Sequence, residues 1–431
     1  MNKCLQADVK EGKAGRFRKW GPMRLRQLAI LCFILTVALR TAPAQNYAAV
    51  KFLERPGPHS VGVRVVEQYD RTRNFGSTVD PRAVPTAQAE RGRPLQSLVW
   101  YPAQKGVRPA MTMGDYVALM DTEISFGNPQ KTRDGDVLKA WLQASLGQPL
   151  SAVRDASPEM GRFPVIIYAP SFTSWSWENA DLCEYLASYG YVVVASPGMG
   201  EESRESTHDL SGVNAQAGDV SFLIGYAASM PNTDMTKVAA MGFSWGGLAD
   251  LFAASRDSRI KALISLDGSE RYFPGLVEAS KTVHPDHMTI PLIYFEEGDQ
   301  SLEEQDRLNS RFHADGRSVL NQWLHGDLIT VRMLGLFHPE FCSIAYRNQE
   351  LWEKELPNLQ VADYDRADGL VGYSWVMRYT RAFLDFYLKQ DVQAGAFVKA
   401  STSANGVPRH TMSIKVRPSV PVAITTVAKP N

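Results

Sequence analysis

The stretch Lys237-Val238-Ala239-Ala240-Met241-Gly242-Phe243-Ser244-Trp245-Gly246-Gly247-Leu248 decides the fold of this chain. Lys237 to Phe243 predicts a short buried strand and Gly246 to Ser255 a helix, so the G-x-S-x-G pattern lies between a strand and a helix. Such a turn is too tight for bulky side chains at its flanks, which is the physical reason for glycine at 242 and 246. It lifts Ser244 Oγ clear of the sheet edge, above the N-terminus of the next helix. In this context Ser244 is a candidate nucleophile, whereas the bare five-residue pattern occurs by chance in many chains.

The same rhythm continues on both sides. Phe163 to Ala169, Tyr191 to Ala195, Ile260 to Leu266, Pro291 to Phe295 and Leu328 to Leu334 predict strands. Trp177 to Tyr189, Gly218 to Met230 and Tyr373 to Leu388 predict helices. Short apolar strands alternating with helices imply an α/β fold, a mostly parallel central sheet with helices on both faces. Val61, Val63 and Val65 alternate as a strand does, and Leu95 to Tyr101 repeats the style, with Arg71 to Arg93 between them expected as a surface loop. Residues 111–160 and 300–327 interrupt the series and are expected to be cap-like insertions. The domain is expected over 61–390, after a linker at 45–60. A C-terminal extension, 391–431, is expected to drape over the domain or to be partly disordered.

Of the 431 residues 44% are hydrophobic and 21% charged, enough to bury a large core and too apolar for a disordered chain. Lys+Arg 46 balance Asp+Glu 46, and no basic stripe is interleaved with aromatics, which argues against a nucleic-acid partner. Lys10, Lys13, Arg16, Arg18, Lys19, Arg24 and Arg26 precede an apolar run from Leu28 to Leu39, then Ala42-Pro43-Ala44. That order is the secretory signal pattern, with cleavage expected after Ala44 and a secreted or periplasmic product. The long basic lead leaves Met23 open as the true start, and an uncleaved N-terminal anchor is the alternative reading. The apolar run is short against the ~20 residues a membrane span needs, so no stable span is expected after processing. Cys4 and Cys32 fall in the segment expected to be removed; Cys183 and Cys342 either pair in an oxidising compartment or stay buried thiols. No Cys/His cluster shows metal-ligand spacing, and neither a metal nor another cofactor is expected.

A serine hydroxyl needs a base to take its proton, and in this architecture the order along the chain is Ser, acid, His. Phe337-His338-Pro339-Glu340-Phe341 follows the C-terminal end of the last parallel strand, where sites of α/β sheets gather, so His338 is the expected base. His325 lies at the wrong end of that strand, and His284, His287 and His313 sit in polar segments and read as surface histidines. The acid is Asp267, at the end of the strand Ile260 to Leu266, or one of Glu296, Glu297 and Asp299 after the next strand. Ile264-Ser265-Leu266 before Asp267 favours a buried strand end, as an orienting carboxylate requires. The oxyanion donors are expected to be the backbone amides of Trp245 and of Phe172, with Ser171 as second choice, in the loop Pro170-Ser171-Phe172-Thr173-Ser174. Trp175, Trp177 and Trp245 fall next to this site and either line a pocket or pack in the core.

Several features together resemble the platelet-activating-factor acetylhydrolase and dienelactone-hydrolase-like branch of the α/β-hydrolases. They are the opening Gly57-Pro58-His59-Ser60-Val61-Gly62, the strand end Leu98-Val99-Trp100-Tyr101-Pro102, the elbow at Ser244, Asp267 on the strand after it, and the His338 segment. The resemblance covers roughly residues 57–390. It implies a lipase-like serine esterase acting without metal on small-molecule esters with short or modified acyl groups. Two departures stand out: Pro170-Ser171-Phe172 replaces a His-Gly-Leu type loop, and the nucleophile is serine where dienelactone hydrolase proper has cysteine. A peptidase or acyltransferase on the same scaffold, or a catalytically idle secreted binding protein, stays open at this stage, as does the oligomeric state.

Overall fold

Strands built from unbroken apolar runs can only be satisfied by burial on both faces, and the sheet places them so. The computed structural model describes residues 50–76, 92–126, 133–298, 317–347 and 364–421. Its strands are β1 (Ser60–Asn74), β2 (Gly92–Ala103), β3 (Val153–Arg154), β4 (Phe163–Ala169), β5 (Val192–Ala195), β6 (Thr233–Phe243), β7 (Ile260–Leu266), β8 (Leu292–Glu297), β9 (Leu328–Met333) and β10 (Met412–Arg417). They form one sheet in the order β10-β9-β8-β7-β6-β4-β5-β2-β1-β3. The block from β5 through β4, β6, β7 and β8 to β9 is parallel, and β2 and β10 flank it antiparallel. The sheet is thus the mostly parallel α/β-hydrolase sheet expected from the alternation of strands and helices.

Alternation along each strand divides the core. Ile166, Tyr168, Val193, Met241, Phe243, Ile264 and Leu266 face a layer that includes the helices Ala180–Ser188 and Arg366–Lys389. Val165, Ile167, Val192, Val194, Val238, Ala240 and Leu263 face the helices Leu210–Ala227 and Trp245–Ala254. The long helix Arg366–Lys389 starts on a capping box, in which Asp365 accepts from the Ala367 and Asp368 amides.

Three segments differ from expectation. The C-terminal extension does not simply drape: Val392–Lys399 is a helix, and β10 pairs antiparallel with β9 from Met412↔Met333 to Arg417↔Leu328. Met412, Ile414 and Val416 alternate with Ser413, Lys415 and Arg417, the period of a half-buried edge strand, so the sheet runs on to 417. The described part of the 111–160 insertion is core rather than cap. Met111, Met113, Tyr116, Val117, Leu119, Met120, Leu138 and Leu142 join the first layer, too apolar a set for a solvated lid. Trp100 Nε1 donates to Tyr116 OH at 2.8 Å and that hydroxyl to Glu184 at 2.6 Å, fixing the insertion to the sheet. The expected surface loop from Arg71 keeps β1 going to Asn74, while Arg93 at its far end is buried and forks onto Asp219 at 2.6 and 2.7 Å. The tip of that loop and most of the 300–327 insertion lie outside the described residues.

Cys183 and Cys342 are separate buried thiols, each pushed up by burial, which decides the pairing question against a disulfide. Among the described residues no helix is long and apolar enough to cross a membrane. On the elbow helix and in the turn facing it, Asp250 and Glu270 are both buried, and among the described residues neither oxygen of Asp250 finds a hydrogen-bond partner. Burial pushes Glu270 up to about 7, helped by the charge of Asp267 and opposed by the Ser265 hydroxyl. Burial, with Glu270 next to it, pushes Asp250 well above the carboxylate range. A carboxyl raised on folding stabilises fully below its unfolded value and loses that contribution as pH rises through its folded one. The melting temperature of wild type should therefore fall as pH rises from about 4.5 to 7, and Glu270→Gln should flatten that slope in thermal scans across the range.

Candidate active site

The elbow is held by contacts that leave no room for side chains. A Cβ on Gly246 would stand 2.0 Å from the Ala169 carbonyl oxygen, and one on Gly242 2.3 Å from the Gly246 carbonyl carbon. Ser244 takes φ 55°, a left-handed conformation that costs of order 1–3 kcal/mol for a residue other than glycine. Its neighbours hold it there: Ser244 N donates to Leu266 O at 3.1 Å, and Ser269 N donates to Ser244 O at 2.8 Å. Asp267 is also left-handed, at φ 45°, and its amide is tied to Phe295 O at 2.8 Å.

These turns, at the C-terminal ends of β6 and β7, meet His338, which follows β9. His338 Nε2 lies 2.8 Å from Ser244 Oγ, and His338 Nδ1 lies 2.6 Å from Asp267 Oδ2. Asp267 is fully buried, whereas the imidazole stays 23% exposed. Asp267 Oδ1 accepts from Tyr272 OH at 3.2 Å and the Glu297 amide at 3.3 Å. Burial opposes protonation of His338, but the hydrogen bond and charge of Asp267, with Glu297 and Glu178 further off, outweigh it and raise the imidazole above its ordinary value.

The alternative acids fall elsewhere. Glu297 braces the backbone, its Oε2 accepting from His338 N at 3.0 Å and its Oε1 from Tyr272 OH at 3.2 Å. Glu296 pairs with Arg271 at 3.5 Å, and Asp299 lies outside the described residues. His325 is turned away, its Nδ1 on Val420 O at 2.8 Å.

Trp245 N is the first amide of the elbow helix, so it has no acceptor within the helix. In the loop after β4, Ser171 N is taken by Glu178 Oε1 at 2.8 Å, while among the described residues Phe172 N has no acceptor. This leaves the Phe172 amide, not that of Ser171, available beside Trp245.

Sequence reasoning missed what holds this loop. Glu178 is buried beneath it and takes Tyr168 OH at 2.8 Å, Ser171 N at 2.8 Å and Ser171 Oγ at 2.7 Å. Thr173 is left-handed at φ 52°, and its Oγ1 accepts from Ser206 N at 3.0 Å. Arg204 donates to Gly198 O at 2.9 Å and Ser174 O at 3.2 Å while its Nε binds the buried Glu123 at 2.8 Å. His208 stacks face to face on Phe172, with ring centroids 3.7 Å apart, and meets Trp245 edge-on at 5.4 Å. A glutamate within an apolar helical segment, Trp177-Glu178-Asn179, was the one available signal; Arg204 and His208 sit in a polar loop with nothing local to mark them. Trp177 and Trp245 are core residues, and Trp175 stacks on Trp177 at 5.5 Å. A cavity of about 640 Å³ lined by Arg73, Arg93, Glu201 and Leu210 holds none of the Ser244, Asp267 or His338 side chains.

A hydroxyl, an imidazole and a buried carboxylate in this relay, on this sheet, define a serine hydrolase of the α/β-hydrolase superfamily. Residues 151–318 match the model of the dienelactone hydrolase family, a segment that holds Ser244 and Asp267. Among solved structures it is similar to a ferulic acid esterase from Streptomyces cinnamoneus, at 19% identity and TM-score 0.58, over 86% of this chain and 99% of that one. Comparison with curated proteins gives no match.

Two measurements follow from the geometry. Only neutral His338 can take a proton, so kcat/KM should rise with pH through an ionisation above 6.5. Arg204→Ala should lower kcat by up to about 10²-fold with KM little changed, since it loosens the loop that aims the Phe172 amide; Arg204→Lys should recover part of that loss in steady-state assays.

Proposed function

We propose that this protein hydrolyses esters through an acyl-enzyme on Ser244. His338 takes the Ser244 proton as Oγ bonds to the ester carbonyl carbon. The Trp245 and Phe172 amides receive the negative charge that develops on the carbonyl oxygen. His338 then protonates the departing alcohol, and the C–O ester bond breaks. A water molecule, deprotonated in turn by His338, attacks the acyl-enzyme and restores the serine. Asp267 fixes the imidazole tautomer and stabilises its charge throughout. The observation that carries this reading is the unbroken relay from Ser244 Oγ through both ring nitrogens of His338 to Asp267.

The substrates we assign are esters with short or modified acyl groups, in the manner of platelet-activating-factor acetylhydrolases. Support comes from the resemblance of the elbow at Ser244, of Asp267 on the next strand and of the His338 segment to that family; next to the elbow the rings of Phe172, His208, Trp245 and Phe273 pack on one another at 3.7 to 6.3 Å. An aromatic acyl group is the second reading, favoured by the exposed His208 ring and by the ferulic acid esterase to which the fold is similar. The basic lead and apolar run before Ala44 further support export with cleavage after that residue; the first residue of protein recovered outside the cell tests this, and Gln45 is expected.

A fluorophosphonate probe should label wild type and leave Ser244→Ala unlabelled; equal labelling removes the nucleophile. Asp267→Asn should cost about 10⁴-fold in kcat. With p-nitrophenyl esters, acetate should be preferred over longer chains, and methyl ferulate in the same panel separates the aromatic reading.

A further inference from the structure

The parallel strands carry their chemistry at their C-terminal ends. At the opposite end, in the segment leading into β8, lies His284-Pro285-Asp286-His287. In sequence these histidines sit in a polar segment and read as surface histidines. In the structure they form one three-residue turn, Pro285–His287, with His284 at its head. His287 N donates to His284 O at 3.0 Å, and Pro285, in the turn's first position, presets its backbone. The apolar side chains of Val283, Pro285 and Met288 are buried and anchor the turn, so the side chains between them point outward together.

The His284 and His287 rings stand 5.0 Å apart at 36°, and one ligand atom from each histidine and from Asp286 lies within 4.8 Å of the others. Among the described residues none of the three side chains makes a hydrogen bond or ion pair within the protein. Donors around a tetrahedral ion at 2.0–2.1 Å are about 3.3 Å apart, a closure that rotation of exposed side chains can supply. Fixed anchors, converging ligand atoms and no competing partner are the conditions under which an ion is captured without refolding the chain.

We propose that His284, Asp286 and His287 form a surface site for a divalent transition-metal ion. Two imidazoles and one carboxylate suit zinc, copper or nickel, whereas calcium and magnesium prefer all-oxygen sets. Three protein ligands leave the fourth position to water or to a ligand from outside. The site stands at the opposite end of the sheet from Ser244, so the ion acts on the turn and its surface, not on ester hydrolysis.

Untagged, chelator-treated full-length protein titrated with zinc chloride in a calorimeter tests this. One ion per chain is expected, with a rise in melting temperature that equimolar calcium does not reproduce. Loss of a ligand should weaken binding by more than the roughly 10–100-fold typical of a lost supporting contact, so His284→Ala and His287→Ala should each abolish the shift. Both variants should melt like wild type without metal, because among the described residues these exposed side chains make no hydrogen bond or ion pair and touch only each other's rings. p-Nitrophenyl acetate hydrolysis is measured alongside. Zinc bound equally by wild type and both variants, with hydrolysis inhibited, would put the ion on His338 and overturn the proposal, as would no binding at all. Because hydrolysis is read separately, failure of the metal site and failure of the esterase reading give different results.

Discussion

The structure depends on the close approach of the elbow helix to the end of β4. Gly246 lies so near the Ala169 carbonyl that even a methyl group would overlap it. That contact ties the turn carrying Ser244 to the loop carrying the Phe172 amide, so the two cannot drift apart independently. In the same turn Ser244 takes a left-handed conformation, whose cost is met by hydrogen bonds to β7 and to the turn after it. Asp267 and Thr173 repeat the pattern: each left-handed, each pinned by a neighbouring element. The site is three strained turns held in place by the sheet behind them.

What surrounds these turns is unusually dependent on buried acids. Glu178 fastens the oxyanion loop from below, Glu123 anchors the arginine that fastens it from the side, and Asp250 with Glu270 lies between the elbow helix and the turn after Asp267. Each carboxyl is raised by burial, so none is a simple counter-ion. Such groups place both the stability of the fold and the geometry of the site under the control of protons. The loop Pro170-Ser171-Phe172-Thr173-Ser174 recruits two of these acids, Glu178 directly and Glu123 through Arg204.

The sequence by itself determined the sheet, because apolar runs alternating with helices have few ways to bury themselves, and it determined Ser244, because G-x-S-x-G between strand and helix has a mechanical reason. It placed His338 and Asp267 at strand ends, leaving the acid among four residues. It misread 111–160 and the C-terminal extension, since whether an apolar helix stands over a site or joins the core, and whether an alternating segment finds a free sheet edge, depends on partners far along the chain. Only the tertiary structure sets Asp267 against His338, through a 2.6 Å contact across 71 residues, and occupies the Ser171 amide with Glu178 while leaving that of Phe172 without an acceptor among the described residues. Arg204 and His208 were invisible in the sequence, and Glu178 showed only as a glutamate in an apolar helical segment, for the same reason: their roles are contacts with another segment, and no local pattern encodes a contact that chain folding alone creates.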